Sequence, residues 1–313
     1  MTAGSPSNRC NAKPAIHPAP MISEETLKKI RKIEIISRKA ARDIFAGQYH
    51  SAFKGRGMEF SEVREYQFGD DARFIDWNVS SRLGRLFVKQ FVEERELTII
   101  LAIDLSASLQ FASVSKSKKD IAVELSALIA FAALLNNDKV GLMIFTDRIE
   151  FFVPPKKGRT HLLRLIRDIS EFQPQGRGTA IGSAMAYLTS LLKKKAVIFL
   201  ISDFLDDQFA TPLKIASRKH DLIAVTIQDQ RERTAPRRSV FQFKDLESGK
   251  DFRADFGRPA VRSAYQKLVQ TRSAQLAELF RKHRIDSIAI QTEGDYEKPL
   301  FDLFSRRKHK FAR

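Results

Sequence analysis

Three short stretches carry side chains suited to holding a hard cation. Asp104-Leu105-Ser106-Ala107-Ser108 sets one carboxylate and two hydroxyls at alternate positions, directly after an apolar run. Thr179 stands in the turn Gly176-Arg177-Gly178-Thr179-Ala180, and Asp203 follows a second apolar run, Val197-Ile198-Phe199-Leu200-Ile201. All are oxygen donors, the ligand type that Mg²⁺ prefers, with Mn²⁺ or Ca²⁺ as alternatives. Two carboxylates and three hydroxyls form a charge-poor set. An ion held this way keeps water and an open position, and gains from an incoming carboxylate.

Such donors converge only if strands present them at one rim. Leu97-Thr98-Ile99-Ile100-Leu101-Ala102-Ile103 is a continuous β-rich run, as expected of a strand buried on both faces. Apolar runs at 140–145, 149–153, 196–201, 222–227 and 285–290 alternate with helical patterns at 118–135, 161–169, 181–192, 212–219 and 261–283. This alternation predicts an α/β fold with a doubly wound, mostly parallel sheet. In such sheets ligand sites lie beyond the carboxyl ends of the strands, which is where Asp104 and Asp203 fall. Upstream, residues 1–20 read as a flexible tail. Residues 21–96 read as an N-terminal helix, with Leu27, Ile30, Ile33, Ile35 and Ile36 as its apolar face, and a small β attachment rich in glycine and charge. Within the main domain, 97–305, residues 240–256 read as an inserted hairpin turning at Ser248-Gly249, and 306–313 as a basic tail.

Competing readings of the same residues are weaker. Gly176, Gly178 and Gly182 imitate a dinucleotide-binding turn, but they follow Phe172-Gln173-Pro174 rather than a strand, and the glycines more simply let Thr179 approach an ion. No P-loop sequence occurs, and no His/Asp relay accompanies the serines, so a hydrolase lacks a general base. His161 reads as a packing residue, and Asp206 and Asp207 as a solvated helix start. Asp70, Asp71, Arg73 and Asp76, near Trp77, read as an ion-paired loop pinning the attachment, in preference to a docking surface.

The order D-x-S-x-S, then Thr, then Asp, each beyond a strand, resembles the metal-ion-dependent adhesion site of von Willebrand factor type A domains. The upstream string Arg64-Glu65-Tyr66-Gln67-Phe68-Gly69-Asp70-Asp71-Ala72-Arg73-Phe74-Ile75-Asp76-Trp77 is similar to the signature of domain-of-unknown-function family 58. The strings Ile201-Ser202-Asp203-Phe204-Leu205-Asp206 and His220-Asp221-Leu222-Ile223-Ala224-Val225 are similar to that family as well. The resemblance implies a metal site made of Asp104, Ser106, Ser108, Thr179 and Asp203. It also implies a non-enzymatic interaction module that works with a MoxR-type AAA+ ATPase or its client through an acidic partner side chain.

Composition bounds the remaining choices. The 313 residues carry 54 Lys+Arg against 37 Asp+Glu, a formal charge of +17, and 43% hydrophobic residues, enough for a core. The charge points to acidic partners, so a metal-independent binder of nucleic acid or of an anionic membrane surface is the alternative function. The single cysteine, Cys10, leaves no disulfide framework or Cys-rich zinc site. With no signal-like or membrane-spanning run, a cytoplasmic protein, peripheral to a membrane at most, is expected.

Overall fold

The computed structural model describes residues 24–45, 49, 52, 59–92, 96–110, 116–234, 240–244 and 251–311. The expected tail at 1–20 and the turn at Ser248-Gly249 lie outside them. The first helix, α1 (Glu24–Phe45), leads to an antiparallel pair, β1 (Glu59–Glu65) and β2 (Phe87–Val92), with the short helix α2 (Trp77–Leu83) between them. The main sheet is built from β3 (Thr98–Asp104), β4 (Lys139–Phe145), β5 (Ile149–Lys156), β6 (Val197–Ser202), β7 (Asp221–Gln228) and a late strand, Asp286–Gln291. Its helices are α3 (Lys118–Leu135), α4 (Arg159–Glu171), α5 (Ile181–Leu191), α6 (Ala210–Lys219) and the single turn α7 (Gln230–Arg233). The expected hairpin is present as β8 (Val240–Lys244) paired antiparallel with β9 (Asp251–Asp255). The long helix α8 (Pro259–Lys282) then leads to the late strand, β10, and α9 (Glu297–Phe311) closes the chain.

The six strands lie in the order β10-β7-β6-β3-β4-β5. All neighbours are parallel except β4 and β5, so the sheet is doubly wound and mostly parallel, as the alternation predicts. The chain runs outward from β3 through β4 to β5, then returns to the other flank of β3 with β6. The strand order therefore reverses between β3 and β6. The edge strand β5 runs on through Pro154-Pro155 to Lys156, longer than its apolar run suggests.

Strand alternation builds two cores. Ile99, Leu101 and Ile103 face α3, α4 and α9, while Ile100 and Ala102 face α5, α6 and Phe280 of α8. Helix α3 lies between the sheet and α1, which is why it is apolar around its whole circumference. At Gly141 a β-carbon would sit 2.9 Å from Ile100 Cδ1 and 3.0 Å from the Val153 carbonyl oxygen, so close strand packing there requires glycine.

Two expectations are corrected at the termini of the fold. Helix α1 buries Ile30, Ile33, Ser37, Ala40 and Ala41, whereas Ile35 and Ile36 are 70% and 43% exposed. The spacing explains it: positions 30, 33, 37, 40 and 41 recur at three and four residues, and 35 and 36 fall on the opposite side. The basic stretch 306–311 is helical, with Arg306 and Lys308 exposed and Arg307 turned inward. It belongs to α9, where Arg307 is buried, paired with Asp221 and Asp286, and donates to the Ala52 carbonyl.

Candidate metal centre at the strand-order reversal

Asp104 is the last residue of β3, and Asp203 directly follows β6, so the two carboxylates flank the point where the strand order reverses. This is where open α/β sheets leave a crevice for ligands. Asp104 is wholly buried. Its Oδ1 accepts from the Ser106 amide at 2.9 Å and its Oδ2 from the Ser202 hydroxyl at 2.7 Å. Burial, reinforced by the nearby Asp203 carboxylate, pushes the Asp104 carboxyl up to about 7, against the hydrogen bonds from Ser202 and Ser106. A cation bound beside Asp104 would offset this burial and favour the carboxylate.

The hydroxyls have matching geometry. Ser106 Oγ and Ser108 Oγ are 3.0 Å apart and both residues are buried. Adjacent ligands of an octahedral Mg²⁺ with metal–oxygen distances near 2.0–2.1 Å are about 2.9 Å apart, so this pair fits one edge of such a shell. The donor set therefore suits a small hard ion.

The loop carrying Thr179 is sewn to the same rim. The Ala107 amide donates to the Arg177 carbonyl at 3.0 Å, and the Ala180 amide to the Thr146 carbonyl at 2.9 Å, so bonds on either side of half-buried Thr179 fix it. Glu150 organises this loop from below: one carboxylate oxygen accepts from the Thr146 hydroxyl and from the amides of Gln175 and Gly176, at 2.8, 3.1 and 2.7 Å. A β-carbon on Gly176 would lie 2.2 Å from both Asp147 Oδ1 and Thr146 Oγ1. That glycine thus serves the contact with the β4–β5 turn, through which Thr179 is positioned.

Asp203 is held on its other side by residues that sequence reasoning missed. Its Oδ1 accepts from the Leu205 amide at 3.3 Å, and its Oδ2 from Lys118 Nζ at 3.0 Å. Lys118, the first residue of α3, has a fully buried side chain and donates also to Glu232 Oε1 at 2.6 Å. Burial works against its charge, but the Asp203 and Glu232 carboxylates prevail and hold the ammonium above the usual lysine range. Within Lys116-Ser117-Lys118-Lys119 no residue type marks this lysine out; only the cap at Ser117, which starts α3, fixes which side chain turns inward. Phe204, next to Asp203, has a left-handed φ of 57° and a buried ring packed on Phe209 and Phe280. Such strain in a non-glycine residue is stored where the surroundings hold it, and here it aims Asp203 at the rim.

The remaining candidates are structural. Asp206 Oδ2 accepts from the Ile181 amide at 2.9 Å and so caps α5, not the helix that follows it; Asp207 is exposed. His161 Nε2 donates to the Val140 carbonyl at 2.8 Å. Arg64 grips Asp70 with two bonds of 2.6 and 2.8 Å, Asp71 pairs with Arg73, and Asp76 caps α2 through the amides of Asn78 and Val79. Between residues 203–209 and α8 a cavity of about 410 Å³, lined by Tyr265, Leu268 and Leu276 among others, opens next to Asp203 and Glu232.

Residues 62–275 match the family described as "Protein of unknown function DUF58". "Uncharacterized protein Rv1480" of Mycobacterium tuberculosis is 27% identical over 307 residues, covering 95% of this chain and 96% of its own length. "Uncharacterized protein YeaD" of Bacillus subtilis is 28% identical over 123 residues, 39% of this chain and 27% of its own. Among solved structures, an aerotolerance-related membrane protein from Bacteroides fragilis aligns at a TM-score of 0.48 and 16% identity, over 68% of this chain and 99% of that one. The SpRpn10 VWA domain aligns at 0.34 and 12% identity, over 69% and 94%.

Proposed function

The chain belongs to the DUF58 family, and from that premise we propose that it is a divalent-metal-dependent adaptor whose von Willebrand factor A-type rim captures a partner's carboxylate. The mostly parallel sheet with oxygen donors at its strand tips supports an interaction role, as the resemblance to von Willebrand factor A domains implies. The observation that carries the metal reading is the convergence of buried Asp104, the 3.0 Å pair of Ser106 and Ser108 hydroxyls, and Asp203 at the reversal of strand order. Asp104, Ser106, Ser108, Thr179 and Asp203 would hold Mg²⁺, or Mn²⁺ or Ca²⁺ in its place. Asp203, with one oxygen engaged by Lys118, would act through the other or through water.

A bound ion would supply an electrophilic centre, and a partner Glu or Asp would complete its coordination. This chain's own residues do the rest. Ser202 and the Ser106 amide orient the Asp104 carboxylate, Glu150 fixes the Thr179 loop, and Lys118 balances Asp203. The adjoining cavity gives an apolar flank to whatever carries the acidic side chain. By family resemblance, that partner is a MoxR-type AAA+ ATPase or its client.

Titration with Mg²⁺ and Mn²⁺ in a calorimeter tests the site: saturable heat in the wild type and none in Asp104→Ala is expected, and a flat wild-type trace overturns it. Pull-down of the ATPase with and without EDTA tests the partner, with chelation and Asp104→Ala each expected to abolish capture.

A further inference from the structure

The outward side of α1 is unlike the rest of the surface. Between residues 28 and 42 it presents Lys28, Arg31, Lys32, Arg38, Lys39 and Arg42, all exposed. At 3.6 residues per turn they fall within about a third of the helix circumference, with Ile35 at the middle of that arc and 70% exposed. The one acidic residue in this stretch, Glu34, sits at the flank and is paired with Arg159 of α4. Among the described residues none of the six makes an ion pair. Elsewhere many basic groups are neutralised nearby: Arg64 by Asp70, Lys118 by Asp203 and Glu232, Lys157 by Glu96, Arg307 by Asp221 and Asp286.

The opposite face of α1 is packed on α3 and α4, so the helix is fixed along its length and its basic face is held outward as a rigid ridge. Six exposed cations on one side of one helix create a local positive field. An exposed isoleucine among them adds an apolar group able to enter the boundary between headgroups and acyl chains. Surfaces that bind single-stranded nucleic acid pair such cations with aromatic rings for base stacking, and no Phe, Tyr or Trp lies between residues 28 and 42.

We infer that the outward face of α1 docks the protein on an anionic lipid surface, with Lys28, Lys32 and Lys39 contacting headgroups and Ile35 inserted between them. This contact is independent of the metal rim and needs no divalent ion.

Co-sedimentation of the full chain with phosphatidylcholine vesicles, with and without about one third phosphatidylglycerol, tests it in the presence of EDTA. Binding to the anionic vesicles alone, weakening steeply with salt, is expected. Each lysine near such a surface contributes about fivefold in partitioning, so Lys28→Gln/Lys32→Gln/Lys39→Gln is expected to lose about a hundredfold. The exposed loop variant Lys193→Gln/Lys194→Gln/Lys195→Gln removes the same charge elsewhere and is expected to bind nearly as wild type. Ile35→Ser, with unchanged charge, is expected to weaken binding severalfold. All these positions are solvent-facing, so folding is preserved and checked by circular dichroism. Equal losses in the two lysine variants reduce the effect to net charge and overturn the proposal. Equal binding to the two vesicle types overturns it. An Ile35→Ser variant that binds as wild type, together with stronger retention on duplex DNA than on vesicles, overturns it in favour of a nucleic-acid face.

Discussion

Where its strands begin, the six-stranded sheet buries Asp138 and Arg307; where they finish, it buries Asp104, Asp203 and Lys118. At the beginning ends the partners are fixed. Asp138 accepts from the Leu97 amide at 2.8 Å and from the Tyr49 hydroxyl at 3.0 Å, joining the strand ends to residue 49 upstream of the sheet. Arg307 ties α9 to the starts of β7 and β10 through Asp221 and Asp286. At the finishing ends the acidic groups outnumber the internal cation: Asp203 and Glu232 pair with the Lys118 ammonium, and Asp104 lies near Asp203. Both ends bury charge, but one does so to hold elements together and the other leaves a deficit facing a crevice. Buried charge alone is thus no sign of a site; the balance of charge around it is.

Breaking the fixed end has the largest expected effect. Arg307→Met leaves Asp221 and Asp286 without their cation and should destabilise by about 3 kcal/mol, equally in EDTA and in Mg²⁺. Urea unfolding measures this, and a metal-dependent loss would erase the distinction between the ends. Lys118→Met should cost about 2 kcal/mol in EDTA, since it strands Asp203 and Glu232. Here Mg²⁺ should recover most of the loss, raising the melting temperature more than in wild type; absence of that rescue would count against an exchangeable cation at this end.

Asp138 gives the pH test. Burial raises its carboxyl to about 6 in the folded chain, against the Leu97 and Tyr49 hydrogen bonds. Its stabilising share is therefore complete below about pH 4 and is lost as pH rises through about 6. Asp138→Asn should remove this slope, becoming relatively more stable than wild type by about 2 kcal/mol from pH 4 to pH 7, as followed by urea midpoints. Gly176→Ala should cost about 1–2 kcal/mol by pushing Thr146 and Asp147 aside, and should abolish the heat of Mg²⁺ binding because the Thr179 loop moves with them. Arg73→Ala, which removes a solvated pair on the attachment, should leave the melting temperature unchanged.

How much of this is legible in sequence follows from the range of each interaction. Asp104, Ser106 and Ser108 are readable because they lie within five positions and abut a β run that fixes their rim. Asp203 and Thr179 become readable through their own strand and turn. Lys118 and Glu232 stand 114 residues apart, Lys118 among Lys116 and Lys119 and Glu232 between Arg231 and Arg233, so only the folded chain selects them. Arg307 is hidden for the same reason, inside a run that composition alone reads as solvated. Ile35 and Ile36 mislead because the helix is apolar at more positions than its packing uses.

The edge strand β5 has a further consequence. Its consecutive Pro154 and Pro155 lack amide protons, so the end of this edge nearest Lys156 offers no donors to an added strand. Pairing along that stretch is weakened by covalent chemistry alone, which disfavours a second strand laid along the full length of β5.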